Sequence, residues 1–501
     1  TKVPGRQVFL QTVKSYQVSS TGKLWLINND SNHIGIFNRV ARIFHSCLLQ
    51  YEHGEWTKQL SVTSKAPAEP ENRAKPPKTG VDFRCRSGDE NRYMRNCTLY
   101  LILLLFFLGT SCRQPPNQEV ETVQSPGVTR DEIRLGSSLA LSGHASFLGT
   151  QTLHGALCYL RAINESGGVY GRQIRVITYD DGYDPPRCLE NTQRLIVDAK
   201  VFALFCYVGT PTSVKIMPLV QEARIPLLGL FTGAQILRNP FQRYIVNIRA
   251  SYYQETGAVV KELVESLGLK KFAVFYQYDD YGFDGLTGTQ IALKKYGLTP
   301  VATGSYRRGS VEVEAAIDRI LPSGAEVVIM IGTYDPCAKF IRMARSRNFR
   351  PIFHCVSFVG ADELMKKLGP EGEGVIVTQV VPPPAETLLL PAAEEYTKLL
   401  ARFFPDDKPN YVGFEGYLNG RVVVEGLRRA GPALNREKFI DAIETIENFS
   451  LGIANPLNFS PEDHQGLEKI YFTQIHDGKL VLVTSFSTIE MGRVGKSRSD
   501  Q

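Results

Sequence analysis

From about Val128 onward, short apolar runs alternate with helical stretches at close intervals, which is the pattern of an α/β domain. "EIRLGSSLAL" (132–141) predicts a strand, followed by a helix over about 148–166. "RQIRVITYDD" (172–181) and "CLENTQRLIVDAK" (188–200) repeat the pair. "VFALFC" (201–206) is a continuous apolar run of the kind buried on both faces of a parallel sheet. A helix from about Pro211 leads into the strand "IPLLGLF" (225–231). The rhythm resumes with "KFAVFYQ" (271–277), "AEVVIMIG" (325–332), "RPIFHCVSF" (350–358) and "GVIVTQVV" (374–381). "PNYVGFEGYLNGRVVVEGLRRAG" (409–431) reads as one long amphipathic helix, and "KIYFTQI" (469–475) as a late strand. So many βα units over about 370 residues suit two lobes of ordinary domain size.

Upstream the chain has another character. Residues 1–93 hold 14 Lys and Arg against 8 Asp and Glu, so the chain's net +6 lies wholly there and 94–501 balances to zero. The basic balance is therefore no argument for nucleic-acid or anionic-membrane binding by the main domain. Both tryptophans, Trp25 and Trp56, are upstream as well, and "SKAPAEPENRAKPPKTG" (64–80) reads as disordered linker. The boundary is "MRNCTLYLILLLFFLGTSC" (94–112), where Arg95, ten apolar residues from Leu99 to Leu108 and Gly109-Thr110-Ser111 precede Cys112. That is a secretory-signal pattern, and it is shorter than the roughly 20 apolar residues of a membrane span. It resembles a bacterial lipoprotein signal, with Gly109 departing from that family's usual Leu. The expectation is that Met94 is the true start and that 1–93 is not native or is disordered. Residues 94–111 are then a lipoprotein-like signal peptide, Cys112 the lipidated anchor, 112–130 a Pro-containing tether and 488–501 a disordered tail.

Six ordered features together resemble a known family, the type I periplasmic solute-binding proteins of the branched-chain amino-acid-binding kind. They are "LALSGHASFLGTQTLHGALCYLRAINESGGVYGRQIRVITYDDGYDP" (139–185), "YVGTPTS" (207–213), "GLFTGA" (229–234), "YDDYGFDG" (278–285), "GTYDP" (332–336) and "FEGYLNG" (414–420). The resemblance covers roughly 131–487. It implies a Venus-flytrap fold: two Rossmann-like α/β lobes with parallel sheets, joined by three crossovers near 247–252, 380–386 and 448–456. Lobe one would be 131–248 plus 385–450, and lobe two 249–384 plus 451–487, with solute bound in the cleft between them.

The cleft residues follow from residue chemistry and the resemblance together. In "GTPTS" a strand ends at Cys206–Tyr207, Thr210 can cap the next helix, and Pro211 suits its first position. Free backbone N–H groups there, with the hydroxyls of Thr210, Thr212 and Ser213, would hold a carboxylate at the helix's positive end. In "FTGA", Thr232 and Gly233 follow a strand, and Gly allows close approach of backbone to ligand. The resemblance implies that Tyr281 and Tyr334 close over the ligand from the other lobe, each offering an apolar face and a hydroxyl. Phe147 would form an apolar wall. Amino-acid-binding members place an acid after the strand equivalent to "PIFHCVSF", where it pairs with the ligand's ammonium. Here that loop is "SFVGADE", with Phe358 and Val359 at the position and Asp362 expected in the first turn of a helix. A carboxylate without an amine, aliphatic or aromatic, fits these groups at least as well as an amino acid.

Six cysteines follow the apolar core of the signal: Cys112, Cys158, Cys188, Cys206, Cys337 and Cys355. Pairs Cys337–Cys355 and Cys188–Cys206 and buried free thiols all remain open from sequence. His144, His154, His354, His464 and His476 show no metal-ligand spacing, and no nucleophile elbow, Walker loop or dinucleotide fingerprint occurs. No enzyme, cofactor or nucleic-acid partner is expected. The leading expectation is a lipid-anchored, exported receptor that hands a small carboxylate to an ABC permease. A ligand sensor that signals to a membrane partner is the alternative. A ligand-responsive repressor core would require a DNA-binding helix-turn-helix before the first lobe, where the signal and tether stand.

Overall fold

A computed structural model describes residues 125–384 and 390–488, together with a two-residue antiparallel pair, Gln17–Val18 with Leu24–Trp25. The chain divides into two compact units, 1–112 and 113–501, and the α/β architecture belongs to the second. The signal-like stretch 94–111, Cys112, the first part of the tether and the tail beyond 488 lie outside the described residues.

The second unit holds two sheets. One has five parallel strands in the order Gln173–Asp180, Glu132–Leu139, Ala203–Phe205, Leu227–Leu228 and Ile245–Val246. Its two longest strands pair in full register, from Glu132 opposite Gln173 to Leu139 opposite Asp180. The other has seven strands in the order Lys479–Leu482, Tyr471–His476, Ile376–Gln379, Ile352–Cys355, Val327–Ile331, Phe272–Gln277 and Ala302–Tyr306. Its five inner and far strands are parallel, and the two C-terminal strands add on antiparallel. Val327–Ile331 is buried at every residue, as a central strand covered by helices on both faces must be.

Two departures from the sequence expectation have simple causes. The run 225–231 is strand only at Leu227–Leu228, because Gly229, at φ 69, turns the chain out toward the cleft. Ala302–Tyr306 ("ATGSY") is a strand that hydrophobic patterning does not flag, since it lies at a sheet edge and carries few apolar side chains.

The chain passes between the sheets three times. It leaves the first after Val246, leaves the second after Gln379, and returns to the second at Tyr471. The first and third passages are stitched together: the Asn247 N–H donates to the His464 carbonyl (2.8 Å), and Gly466 N–H returns to the Asn247 carbonyl (2.9 Å).

Between the second and third passages, the helix Tyr411–Ala430 lies along Ser146–Glu165. Glycines set the spacing. A Cβ on Gly155 would stand 1.8 Å from the Gly413 carbonyl oxygen, and one on Gly416 would stand 2.1 Å from the Thr152 carbonyl oxygen. Backbone therefore touches backbone where ordinary helices sit about 8–10 Å apart with side chains between them. No helix among the described residues is long and apolar enough to cross a membrane.

Candidate ligand-binding cleft

Parallel α/β sheets place functional groups on the loops beyond the carboxyl ends of their strands. Here the two sheets direct such loops at one another. Tyr183 follows Gln173–Asp180, and Phe231 follows Leu227–Leu228; Tyr281 follows Phe272–Gln277, and Phe358 follows Ile352–Cys355. Phe358 is fully buried at the meeting point, with ring centroids 4.7 Å from Tyr281, 5.6 Å from Phe231 and 5.9 Å from Tyr183. Gln277 reaches across to the Tyr183 hydroxyl (3.3 Å).

Beside this aromatic cluster lies a group of hydroxyls. Thr210 Oγ1 and Thr232 Oγ1 are 2.7 Å apart, and the buried Tyr252 hydroxyl faces Thr232. The helix Thr210–Ala223 starts one residue earlier than the capping expectation allows. Gly209, at φ 102, is its N-cap, and Thr210 is the first helical residue, which frees its hydroxyl to meet Thr232. Glycine is required there: a Cβ would collide with the Tyr183 ring at 2.1 Å. Thr212 uses its hydroxyl proton on its own backbone, at the carbonyls of Val208 (2.6 Å) and Gly209 (3.0 Å). Ser213 Oγ is buried without a partner. Gly233 serves a packing need, since a Cβ would lie 2.7 Å from the Tyr252 ring.

Phe147 and Tyr334 are brought together at the cleft mouth, edge to face at 6.3 Å. The Tyr334 hydroxyl lies against the Phe147 backbone and the Ser146 side chain, so it closes over the opposite wall. Both line an opening of about 380 Å³ with Leu141, Gln151, Asp335 and Lys367. Gly360 connects mouth and centre: a Cβ there would lie 2.7 Å from Leu148 and 3.5 Å from Phe147. Asp362 sits in the first turn of Ala361–Leu368 and accepts the Tyr411 N–H (3.2 Å) at the start of the long helix. Burial pushes its carboxyl up to about 6, with the Tyr411 N–H acting against that rise.

Sequence reasoning missed Tyr183, Tyr252 and above all Arg249. The Arg249 guanidinium is 1% exposed and lies 5.0 Å from the Phe231 ring centroid. It bonds Glu255 (3.2 Å), Glu415 (3.4 Å) and Ser357 Oγ. Glu255 in turn accepts from Ser357 N–H (2.8 Å), Ser357 Oγ (2.8 Å) and Thr378 Oγ1 (2.6 Å). The network thus fixes the residue preceding Phe358 and the ring of Phe231 to one buried cation. Burial pushes Glu415 up to about 7, opposed by Arg249. The available signal was a lone charge, Arg249, in the otherwise uncharged run "YIVNIRASYY".

The Periplasmic binding protein family profile matches residues 132–479. A Leu/Ile/Val-binding protein homolog from Brucella abortus is 23% identical over 372 residues, 70% of this chain and 91% of that protein. The leucine-specific-binding protein of Salmonella typhimurium is 22% identical over 256 residues, 51% of this chain and 69% of its own. Among solved structures, a possible leucine/isoleucine/valine-binding protein from Rhodopirellula baltica superposes with a TM-score of 0.68 at 35% identity, covering 70% of this chain and 96% of that one. A branched chain amino acid ABC transporter from Thermus thermophilus with bound valine shares the fold at a TM-score of 0.65 and 19% identity, covering 72% and 97%. With two mostly parallel α/β sheets facing one another across a cleft, the chain belongs to the type 1 periplasmic binding protein family, whose members are exported solute-binding receptors and not enzymes.

Proposed function

We propose that this receptor serves an ABC importer and that its cleft takes a small carboxylate with an aliphatic or aromatic body and no ammonium group. The supporting observation is Phe358. It stands where amino-acid-binding relatives are expected to carry an acid, and it is packed among Tyr183, Phe231 and Tyr281. An ammonium brought there would lose water against aromatic rings, and the nearby carboxylates are already engaged, Glu255 by Arg249 and Asp279 by Arg308. A buried charge without a partner of its own is strongly disfavoured. The carboxylate end is taken by the hydroxyls of Thr210 and Thr232, with Ser213 and the first-turn N–H groups of the Thr210–Ala223 helix, including that of Thr212, supplying further donors. Gly233 shapes the adjoining loop, while Tyr281, Tyr334 and Phe147 enclose the body of the solute. A permease is the membrane partner, and Cys112 carries the lipid anchor. A thermal-shift screen of the protein against amino acids, aliphatic acids and aromatic acids tests the reading. Ligand at ~100 times its Kd adds about 2.7 kcal/mol of stability. The reading fails if only α-amino acids raise the melting temperature.

A further inference from the structure

The five cysteines in the described region, Cys158, Cys188, Cys206, Cys337 and Cys355, are buried free thiols. Cys188 faces Asp181 and Ser138, and Cys206 faces the Asn419 amide at 3.9 Å, so those two do not pair. Cys337 and Cys355 do meet. Val327–Ile331 and Ile352–Cys355 are neighbouring parallel strands, with Met330 opposite Cys355. The helix after the first of them begins at Tyr334 and carries Cys337 in its first turn. That turn sets the Cys337 thiol over the end of the adjacent strand, facing Cys355, and neither residue is exposed. Gly332 leaves the space the sulfur occupies: a Cβ there would stand 2.8 Å from Cys337 Sγ.

We propose that Cys337 and Cys355 form an intrachain disulfide in the exported protein, clamping the loop that carries Tyr334 to the loop that carries Phe358. Tyr334 precedes Cys337 by three residues and Phe358 follows Cys355 by three, so the bond joins the mouth and the centre of one cleft wall at their roots. The inference rests on the export that family membership implies, since an oxidising compartment is where such bonds persist. The oxidant is a disulfide, either of a small thiol or of an oxidoreductase. One cysteine thiolate attacks it, forming a mixed disulfide and releasing one reduced thiol. The second thiolate then attacks the mixed disulfide and releases the other. The two cysteines lose two electrons and two protons, and the oxidant gains both. Burial raises the Cys337 thiol well above its ordinary range. Exchange from the packed interior is therefore slow, and the bond forms before that wall closes.

The test uses the full chain, reduced and unfolded, then refolded with glutathione and glutathione disulfide. It is next denatured, alkylated and digested without reductant. The expected product is one peptide pair joined through 337 and 355, lighter than its reduced parts by two hydrogens, with Cys158, Cys188 and Cys206 alkylated. Alkylation of both Cys337 and Cys355 in most molecules overturns the proposal. In parallel, reductant lowers the melting temperature of the oxidised wild type and leaves a Cys337→Ala/Cys355→Ala double variant unchanged. Equal shifts in both also overturn it. Absence of the protein from the cell envelope would count against export alone, because the refolded-protein map decides the bond independently.

Discussion

The hydroxyls of Thr210 and Thr232, 22 residues apart in sequence, meet at 2.7 Å at the positive end of the Thr210–Ala223 helix. Neither position alone makes a site. Together they present two adjustable hydroxyls beside the first-turn N–H groups, a geometry suited to two carboxylate oxygens.

Thr232→Val keeps the shape and removes one hydroxyl. Carboxylate affinity should fall by about ten-fold or more, matching ~1–3 kcal/mol for an unmade polar contact in a dry site. The melting temperature should also fall, because the buried Thr210 hydroxyl and Ala234 N–H lose their partner, so affinities are compared well below the transition of the variant. Titration calorimetry with whichever carboxylate the thermal screen identifies checks this, and unchanged affinity would remove Thr232 from the site.

Arg249→Met should be severely destabilising, by about 3–5 kcal/mol in urea unfolding, because it strands Glu255 and Glu415 without their buried cation. Methionine fills similar volume, so packing loss alone would cost much less. A loss under about 1 kcal/mol would show that the network is not under electrostatic tension.

Gly155→Ala should lower stability by about 1–3 kcal/mol, since the added methyl meets the Gly413 carbonyl oxygen at 1.8 Å and forces the two long helices apart. At an exposed helical site the same change would stabilise. The sign of the melting-temperature shift therefore reports whether the helices make the backbone contact seen here.

Burial raises the Asp181 carboxyl from 3.8 to about 6, against hydrogen bonds from Ser138 and the Tyr183 N–H. For an acid held higher in the folded state, ionisation costs stability above the folded value, and the cost is relieved as pH falls from about 6 toward 3.8. Asp181→Asn should accordingly be more stable than wild type at about pH 8, by up to about 3 kcal/mol. The advantage should vanish near the ordinary carboxylate value of 3.8. A pH series of urea midpoints measures it, and a pH-independent difference would contradict the assignment.

Much of the fold was legible because buried parallel strands announce themselves as apolar runs, as in "AEVVIMIG" and "VFALFC". Thr210 and Thr232 could be found because each stands just past a strand, where a one-dimensional pattern points, whereas Tyr281 and Phe358 could be found only through the family resemblance. Arg249 could not. Its partners Glu255, Ser357 and Glu415 lie 6, 108 and 166 residues away, and only the meeting of both sheets brings them together. Tyr183 was hidden similarly: its ring matters because Gly209, on another loop, leaves room for it. The capping role expected of Thr210 failed locally, because Gly209 takes the cap and turns that hydroxyl to Thr232.

The central claim is that Phe358 replaces an ammonium partner with an apolar wall. Titration calorimetry on two matched pairs tests it most directly: leucine against 4-methylpentanoate, and phenylalanine against 3-phenylpropanoate. Within each pair only the ammonium differs. The predicted result is that in at least one pair the deaminated acid binds about ten-fold or more tightly than its amino acid, a difference of about 1.4 kcal/mol or more. Tighter binding of either amino acid, or no binding by any of the four, would contradict the account.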